Sequence, residues 1–146
     1  MGASNTVRLD FHSSFDILDF VQVVSDHIGR RAGLDDDAVH WVGVAVRESV
    51  INAIKHGNGN DARKRVHVEF TPLGRDTPGL AIRVRDEGPG FDPSALPDCC
   101  APDNLLKASG RGIFLMRSFM DELVLQPAPE GGMEVRMVKR AQPQQA

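Results

Sequence analysis

The stretch RESVINAIKHGN, residues 47–58, has the pattern of a helix, and it places a carboxylate, an amide and an imidazole four residues apart. Residues at this spacing lie one above another on a single helix face. Glu48, Asn52 and His56 therefore form a polar face. The apolar residues that can pack this helix into a core are Val46, Val50 and Ile54. What the chain does depends on what the polar face contacts.

This polar face has two interpretations. Most Glu and Asn residues on helices meet only water, so a solvated stripe is the default. Asn52, however, is a weak helix former in the middle of a helix. The side-chain oxygens of Glu48 and Asn52 are also hard ligands of the kind that Mg²⁺ takes while it keeps several waters. The pattern alone leaves both interpretations open.

Length and composition predict one globular domain spanning residues 1–146. The chain is 41% hydrophobic and 25% charged, and its net charge is -3. It can therefore bury a core, and it lacks the basic excess expected for direct binding to nucleic acid. Its two cysteines, Cys99 and Cys100, are adjacent and exclude a disulfide framework within the chain. Because no apolar stretch has the length of a signal peptide or a membrane span, we expect a cytoplasmic protein with no membrane segment.

Hydrophobic periodicity predicts the element order β, α, α, β, β, long loop, α, β, β. The predicted segments are strand 6–11, helices 13–33 and 34–57, strands 65–70 and 80–86, helix 112–122, and strands 123–127 and 133–140. The candidate helix caps are Ser13 or Ser14, Asp35 or Asp36, Gly33 and Gly57. Short turns favour a mostly antiparallel sheet with helices on one face, which is a two-layer α/β sandwich. We expect a core of about residues 6–140 and a disordered tail at 141–146.

The segment RDEGPGFDP, residues 85–93, ends the strand that buries Leu80, Ile82 and Val84. By alternation Asp86 points to the same apolar side, where a carboxylate needs a donor partner. Gly88 and Gly90 permit a sharp turn and a close backbone approach. An ordinary turn, capped by Asp86, explains these residues equally well.

The segment SGRGIFLMRSF, residues 109–119, places Gly110 and Gly112 immediately before a predicted helix. Free amides at a helix N-terminus, with glycines that admit a ligand, form a phosphate site. Lys107 and Arg111 add positive charge at the same place. A flexible hinge before the helix is the alternative, because a single GxG is weak evidence.

In this order, the segments resemble the GHKL superfamily of histidine kinase-like ATPase domains. Within it the chain is similar to the small anti-sigma factor serine-protein kinases (RsbW-like). ESVINAIKHG resembles their first box, DEGPGFDP their second, SGRGIFLMRSFMDEL their glycine lid and following helix, and GGMEVRMVKR their last strand. The resemblance covers about residues 7–139 and implies the Bergerat fold, with a mostly antiparallel mixed sheet.

The resemblance also implies roles for single residues. Asn52 would help to hold Mg²⁺, and Glu48 would act as general base toward a serine hydroxyl. Asp86 would accept a hydrogen bond from the adenine amino group, so the ligand would be its donor partner. The remaining expected ATP-binding residues are Gly88 and Gly90 near the base and Lys107, Gly110, Arg111 and Gly112 near the phosphates. For His56 we expect a structural role, bonded to carbonyls of the last helical turn.

For function, the resemblance implies a serine-protein kinase that uses ATP and Mg²⁺ and regulates transcription in stress responses. Its implied partners are a sigma factor, which it sequesters, and an anti-sigma factor antagonist (STAS-type), which it phosphorylates on serine; a homodimer is also implied. Some family members carry an arginine just before the Ser-Gly of the lid, where this chain has Ala108. Lys107 or Arg111 could replace it; otherwise the alternative is a non-catalytic or nucleotide-gated partner-binding module of the same fold.

Overall fold

Five strands form one sheet in the order β1-β2-β3-β5-β4 in the computed structural model, which describes residues 5–89 and 112–142. The strands are β1 (Val7–His12), β2 (Arg65–Pro72), β3 (Gly79–Arg85), β4 (Glu122–Pro127) and β5 (Met133–Arg140). All four pairings between these described strands are antiparallel. Sequential strands lie beside each other except where β5 inserts between β3 and β4. The predicted α/β fold with a mostly antiparallel sheet is confirmed.

Three helices accompany the sheet in the described residues: α1 (Leu18–Arg31), α2 (Asp36–Asn52) and α3 (Gly112–Phe119). The side chain of Asp35 caps α2 by accepting the Ala38 N–H at 2.8 Å, and Ser14 caps a short 3-10 turn before α1. The third helix ends at Phe119, three residues before the predicted end, because the chain turns there into β4. None of the described helices is long and apolar enough to cross a membrane.

The core lies between the helices and one face of the sheet. Val42, Val46 and Val50 of α2 are fully buried, as the spacing of its apolar residues requires. The sheet contributes the fully or almost fully buried side chains of Val66, Val68, Phe70, Leu80, Ile82 and Val84. The alternation in the sequence predicted this face of β2 and β3 correctly.

The edge strand β1 is less buried than its alternation suggested. Leu9 and Phe11 are half-buried and pack against the core, but Val7 is 40% exposed. An edge strand pairs on one side only, so less of it is covered. At the other end of the chain, Ala141 donates its N–H to the carbonyl of Pro78 at 2.9 Å. The predicted tail thus begins with an anchored residue, and residues 143–146 lie outside the described part.

Charged residues cover the sheet face opposite the helices. Glu134 of β5 has no exposed surface, and its two carboxylate oxygens accept hydrogen bonds from Arg83, Arg136 and Gln126 at 2.5–2.7 Å. Burial by itself opposes ionisation, but these three donors together outweigh it and lower the pKa of Glu134. Arg83 also pairs with Glu130, whose pKa that bond lowers to about 2. A buried carboxylate with several donors holds neighbouring strands in one register.

A stacked aromatic pair joins α2 to α3. The rings of Trp41 and Phe119 lie 3.7 Å apart between centroids and are inclined by 7°. Trp41 is the only tryptophan in the chain, which has no tyrosine. Its fluorescence therefore reports directly on the packing between these two helices.

Replacement of Glu134 by Gln should lower the free energy of unfolding by about 2 kcal/mol, because charge-assisted hydrogen bonds to a buried group are lost. Trp41 fluorescence during denaturant unfolding measures the change. Glu122→Gln is the matched control: Glu122 pairs with Arg140 on the same sheet face, but both side chains are half exposed, so its loss should cost less than about 1 kcal/mol.

The free energy of unfolding of Glu134→Gln and that of Glu122→Gln should also depend differently on pH in acid. A carboxylate whose pKa is lowered by folding contributes stability above its unfolded value, and the protein loses it as pH falls through the folded value. The wild type should therefore weaken progressively below pH 4.5, the ordinary glutamate value, and Glu134→Gln should weaken less steeply than Glu122→Gln. Equal slopes would contradict the role assigned to Glu134.

Candidate functional site

Asp86 follows β3 directly and points to the buried side, as its position in the alternation predicted. The residue is 6% exposed. Its Oδ1 accepts the N–H of Gly88 at 2.9 Å and that of Met133 at 3.1 Å, and its own N–H donates to the Met133 carbonyl at 3.0 Å. The expectation that a ligand is the donor partner of this carboxylate is therefore incomplete, because the backbone satisfies one oxygen. Oδ2 makes no hydrogen bond within the described residues.

Three glycines surround this carboxylate more closely than any side chain would allow. A Cβ added to Gly57 would lie 2.0 Å from Asp86 Oδ2, and one added to Gly132 would lie 2.1 Å from the Asp86 carbonyl oxygen. A Cβ added to Gly88 would lie 1.8 Å from the Gly57 carbonyl oxygen. The predicted close backbone approach at Gly88 thus corresponds to contact with the end of the α2 segment. We call Asp86 with Gly57, Gly88 and Gly132 the Asp86 shell.

Glu48 and Asn52 lie four residues apart near the end of α2, and both are partly buried. The Nδ2 atom of Asn52 is buried without a hydrogen-bond partner among the described residues. A buried amide nitrogen without a partner costs free energy, and a bound group that accepts its hydrogen would remove that cost. Glu48 makes no ion pair or hydrogen bond with any described residue. Because the Asn52 amide nitrogen is buried, it does not meet water as a solvated stripe would; for Glu48 both interpretations stay open.

The chain after Asn52 departs from the prediction of a regular helix to Gly57. Ala53–Gly57 form a π-helical turn, in which the Asn58 N–H donates to the Ala53 carbonyl at 2.8 Å. Gly57 is not a left-handed C-cap; the residues with positive φ in this segment are Gly59 and Asn60. The prediction that Gly57 is a C-cap was therefore wrong. This position needs glycine because the Asp86 carboxylate approaches it closely. Single π turns occur frequently at functional sites.

His56 lies within this wider turn and is exposed. The π turn changes the regular spacing from which this third member of the polar face was predicted. The predicted bond from its ring to last-turn carbonyls is absent among the described residues. Neither part of the interpretation of His56 is supported.

The remaining predicted site residues fall at or beyond the boundary of the described chain. Gly112 is the first residue of α3, in agreement with a glycine that opens a helix. The other predicted phosphate-site and base-site residues outside the described part are Gly90, Lys107, Gly110 and Arg111. The residues Cys99, Cys100 and Ala108 also lie outside it.

Sequence reasoning missed two contributors to the site. Gly132 has φ +80° and is the second glycine of the turn between β4 and β5. Its close approach to Asp86 becomes visible only in the folded chain, where that turn lies beside Asp86. Asn58 is 3% exposed and donates or accepts three side-chain hydrogen bonds. The GNGN loop composition suggested only a turn, so no local signal distinguished this asparagine.

Gly57→Ala should lower the free energy of unfolding by about 1–3 kcal/mol, because the added methyl group overlaps Asp86 and must displace it. Denaturant unfolding followed by Trp41 fluorescence measures the change. Gly74→Ala is the control, since nothing lies within 4 Å of a Cβ there, and its stability should stay close to that of the wild type. Equal stability of both variants would contradict the tight contact.

Comparison with known proteins identifies the family of this chain. Residues 17–139 match the model of the histidine kinase-like ATPase domain. The chain is 30% identical over 138 residues to an anti-sigma F factor of Clostridium botulinum, covering 93% of this chain and 94% of that protein. It is 26% identical over 140 residues to the serine-protein kinase RsbW of Staphylococcus epidermidis, covering 91% and 85% of the two chains.

The family match extends from the 3-10 turn before α1 to the last strand of the sheet. It contains α2, the Asp86 shell and the start of α3, which are the elements that carry the candidate site. The chain belongs to the family of histidine kinase-like ATPase domains.

Proposed function

We propose that this chain is an ATP-binding anti-sigma factor with serine-protein kinase activity. The observation that carries the proposal is the juxtaposition of the Asp86 shell with the end of α2, where Gly57 touches the Asp86 carboxylate. This contact supports the proposal of a single site that combines a base-binding carboxylate with the Glu48-Asn52 face. The names of the relatives, an anti-sigma F factor and a serine-protein kinase, support the reaction and the regulatory role.

Asp86 is the proposed contact for the adenine base. Its Oδ1 already accepts two backbone N–H groups, which hold the carboxylate in one orientation. Oδ2 retains the capacity to accept a hydrogen bond from the exocyclic amino group of adenine. Gly88 and Gly90 allow the chain to pass beside the base, as glycine does wherever backbone and ligand approach closely.

Asn52 is the proposed protein ligand of Mg²⁺. Its amide oxygen is a hard ligand of the kind that Mg²⁺ takes together with waters and phosphate oxygens. The amide nitrogen, which is buried without a partner among the described residues, is a donor that a phosphate oxygen would satisfy. When bound, Mg²⁺ neutralises charge on the phosphates. The residues proposed to contact the phosphates through backbone amides or positive charge are Lys107, Gly110, Arg111 and Gly112.

Glu48 is the proposed general base, because it lies one helical turn before Asn52. Its carboxylate would accept the proton that a serine hydroxyl loses as the serine oxygen bonds to the γ-phosphorus. The bond between the γ-phosphorus and the oxygen bridging to the β-phosphate breaks in the same transfer.

The proposed partners follow from the same relatives. A sigma factor is held by the chain, and the serine that it phosphorylates lies on an antagonist of the STAS type that competes for the chain. We further propose a homodimer in the cytoplasm, with no direct contact to nucleic acid or membrane. Kinase activity and sequestration together give a switch that depends on the nucleotide and on the phosphorylation of the antagonist.

Glu48→Gln should leave the Kd for MgATP within about twofold of the wild type and reduce phosphate transfer at least about 100-fold, because general-base catalysis contributes that much. Transfer of labelled γ-phosphate to the antagonist serine measures the effect. Arg47→Gln is the matched control: within the described part of the chain Arg47 forms one exposed ion pair, with Asp19, so transfer should persist. Equal transfer by Glu48→Gln and the wild type would remove Glu48 from the base role.

Asp86→Asn should weaken ATP binding about tenfold or more while the fold persists. In the variant the amide oxygen can still accept the N–H groups of Gly88 and Met133. The amide NH₂ then takes the position of Oδ2, where one hydrogen-bond donor faces another, the adenine amino group. Calorimetric titration with ATP and Mg²⁺ measures the change. Asp76→Asn, on the exposed turn between β2 and β3, is the control. Unchanged affinity would exclude Asp86 from base binding, and absence of ATP binding by the wild type with intact partner binding would favour the non-catalytic module.

A further inference from the structure

Asn58 is a buried amide at the junction of the helix end and the sheet. It is 3% exposed, and its side chain uses both its donor and its acceptor. Nδ2 donates to Ser13 Oγ at 2.9 Å and to the Arg65 carbonyl at 3.0 Å, while Oδ1 accepts the Glu87 N–H at 2.8 Å. Its backbone N–H also closes the π turn after α2.

These bonds join segments that are distant in the chain. Ser13 precedes α1, Arg65 begins β2, and Glu87 follows Asp86 at the end of β3. A buried amide is tolerated only when its polar atoms are paired, so the three segments must keep the positions that satisfy it. Asn58 thereby fixes the backbone after Asp86 relative to the end of the α2 segment.

The side chain of Glu87 also helps to hold the backbone that follows Asp86. Oε1 accepts the Arg65 N–H at 2.8 Å, and Oε2 bonds His67 Nε2 at 2.8 Å. The bond from His67, followed by that from the Arg65 N–H, lowers the pKa of Glu87. Because Glu87 is exposed, water can replace these bonds, whereas the bond to Asn58 is partly shielded. Asn58 is therefore the stronger constraint on residue 87.

The hydrogen bond between Asn58 and Glu87 also restrains the position of Asp86. Residue 87 is covalently joined to Asp86, and Gly57 and Gly88 are already in contact on either side of the carboxylate. A shift of the Glu87 backbone therefore moves the carboxylate relative to Asn52, which lies six residues before Asn58. We infer that Asn58 is a positioning residue that sets Asp86 for recognition of the adenine amino group and couples base recognition to the Glu48-Asn52 face. This inference rests on the proposed function and deepens it.

The test compares ATP with ITP, whose base has a carbonyl in place of the adenine amino group. Calorimetry with Mg²⁺ present should give the wild type a preference for ATP of about tenfold or more, the size expected for a hydrogen bond to a charged group. Asn58→Ala removes the acceptor for Glu87, so its preference should fall to about threefold or less. A general loss of stability alone would lower the folded fraction for both nucleotides equally and would leave this ratio unchanged.

Ser13→Ala is the matched control. It removes one partner of Asn58 Nδ2 but leaves the Arg65 carbonyl and the bond to Glu87 intact. The variant should lose stability and keep the wild-type preference. A wild-type preference for ATP that survives in Asn58→Ala would overturn this inference alone, whereas absence of ATP binding by the wild type would overturn the proposed function with it.

A second measurement avoids the risk that Asn58→Ala does not fold. Coupling between two sites is reciprocal, so ATP should strengthen the bond between Asn58 and Glu87 in the wild-type protein. Hydrogen exchange of the Glu87 amide should slow about tenfold or more when ATP saturates the protein, and it should slow less with saturating ITP. Equal exchange of this amide with and without ATP would overturn the inference.

Discussion

The contact between the Asp86 carboxylate and Gly57 is the constraint on which the candidate site depends. A Cβ on Gly57 would lie 2.0 Å from Asp86 Oδ2, and a Cβ on Gly88 would lie 1.8 Å from the Gly57 carbonyl oxygen. No residue other than glycine can occupy either position without displacement of its neighbour. The end of β3 and the end of the α2 segment are thus in direct contact, which supports the proposal that the base contact and the metal ligand belong to one site.

The two faces of the sheet stabilise the fold by different interactions. One face packs against the valines of α2 and supplies most of the buried apolar surface, which is the main driving force for folding. The opposite face is charged, and buried Glu134 ties β3, β4 and β5 together through Arg83, Gln126 and Arg136. The helical layer carries the Asn52 amide nitrogen, which is buried without a partner among the described residues. Such a group costs about 1–3 kcal/mol, a large share of the net stability of a domain.

Sequence periodicity was sufficient for much of this structure. Buried Val46, Val50 and Ile54 follow from helical spacing, and the inward direction of Asp86 follows from strand alternation. The errors occurred where distant segments meet. The helix was predicted to continue regularly to Gly57, but it widens into a π turn, and the donor expected from a ligand at Asp86 comes in part from the Met133 backbone. Periodicity describes the spacing of residues within one helix or strand, and it carries no information about contacts between distant segments.

The sequence by itself determined the elements, their order, the apolar faces and the residue types able to bind metal, base and phosphate, because these depend on local spacing and side-chain chemistry. Only the tertiary structure decided which glycines surround Asp86 and that Asn58 bonds Glu87. Gly132 reaches Asp86 through the pairing of β5 with β3, and Asn58 reaches Glu87 across 29 residues of chain. Close packing brings such residues together, and a linear pattern of spacings does not specify that packing.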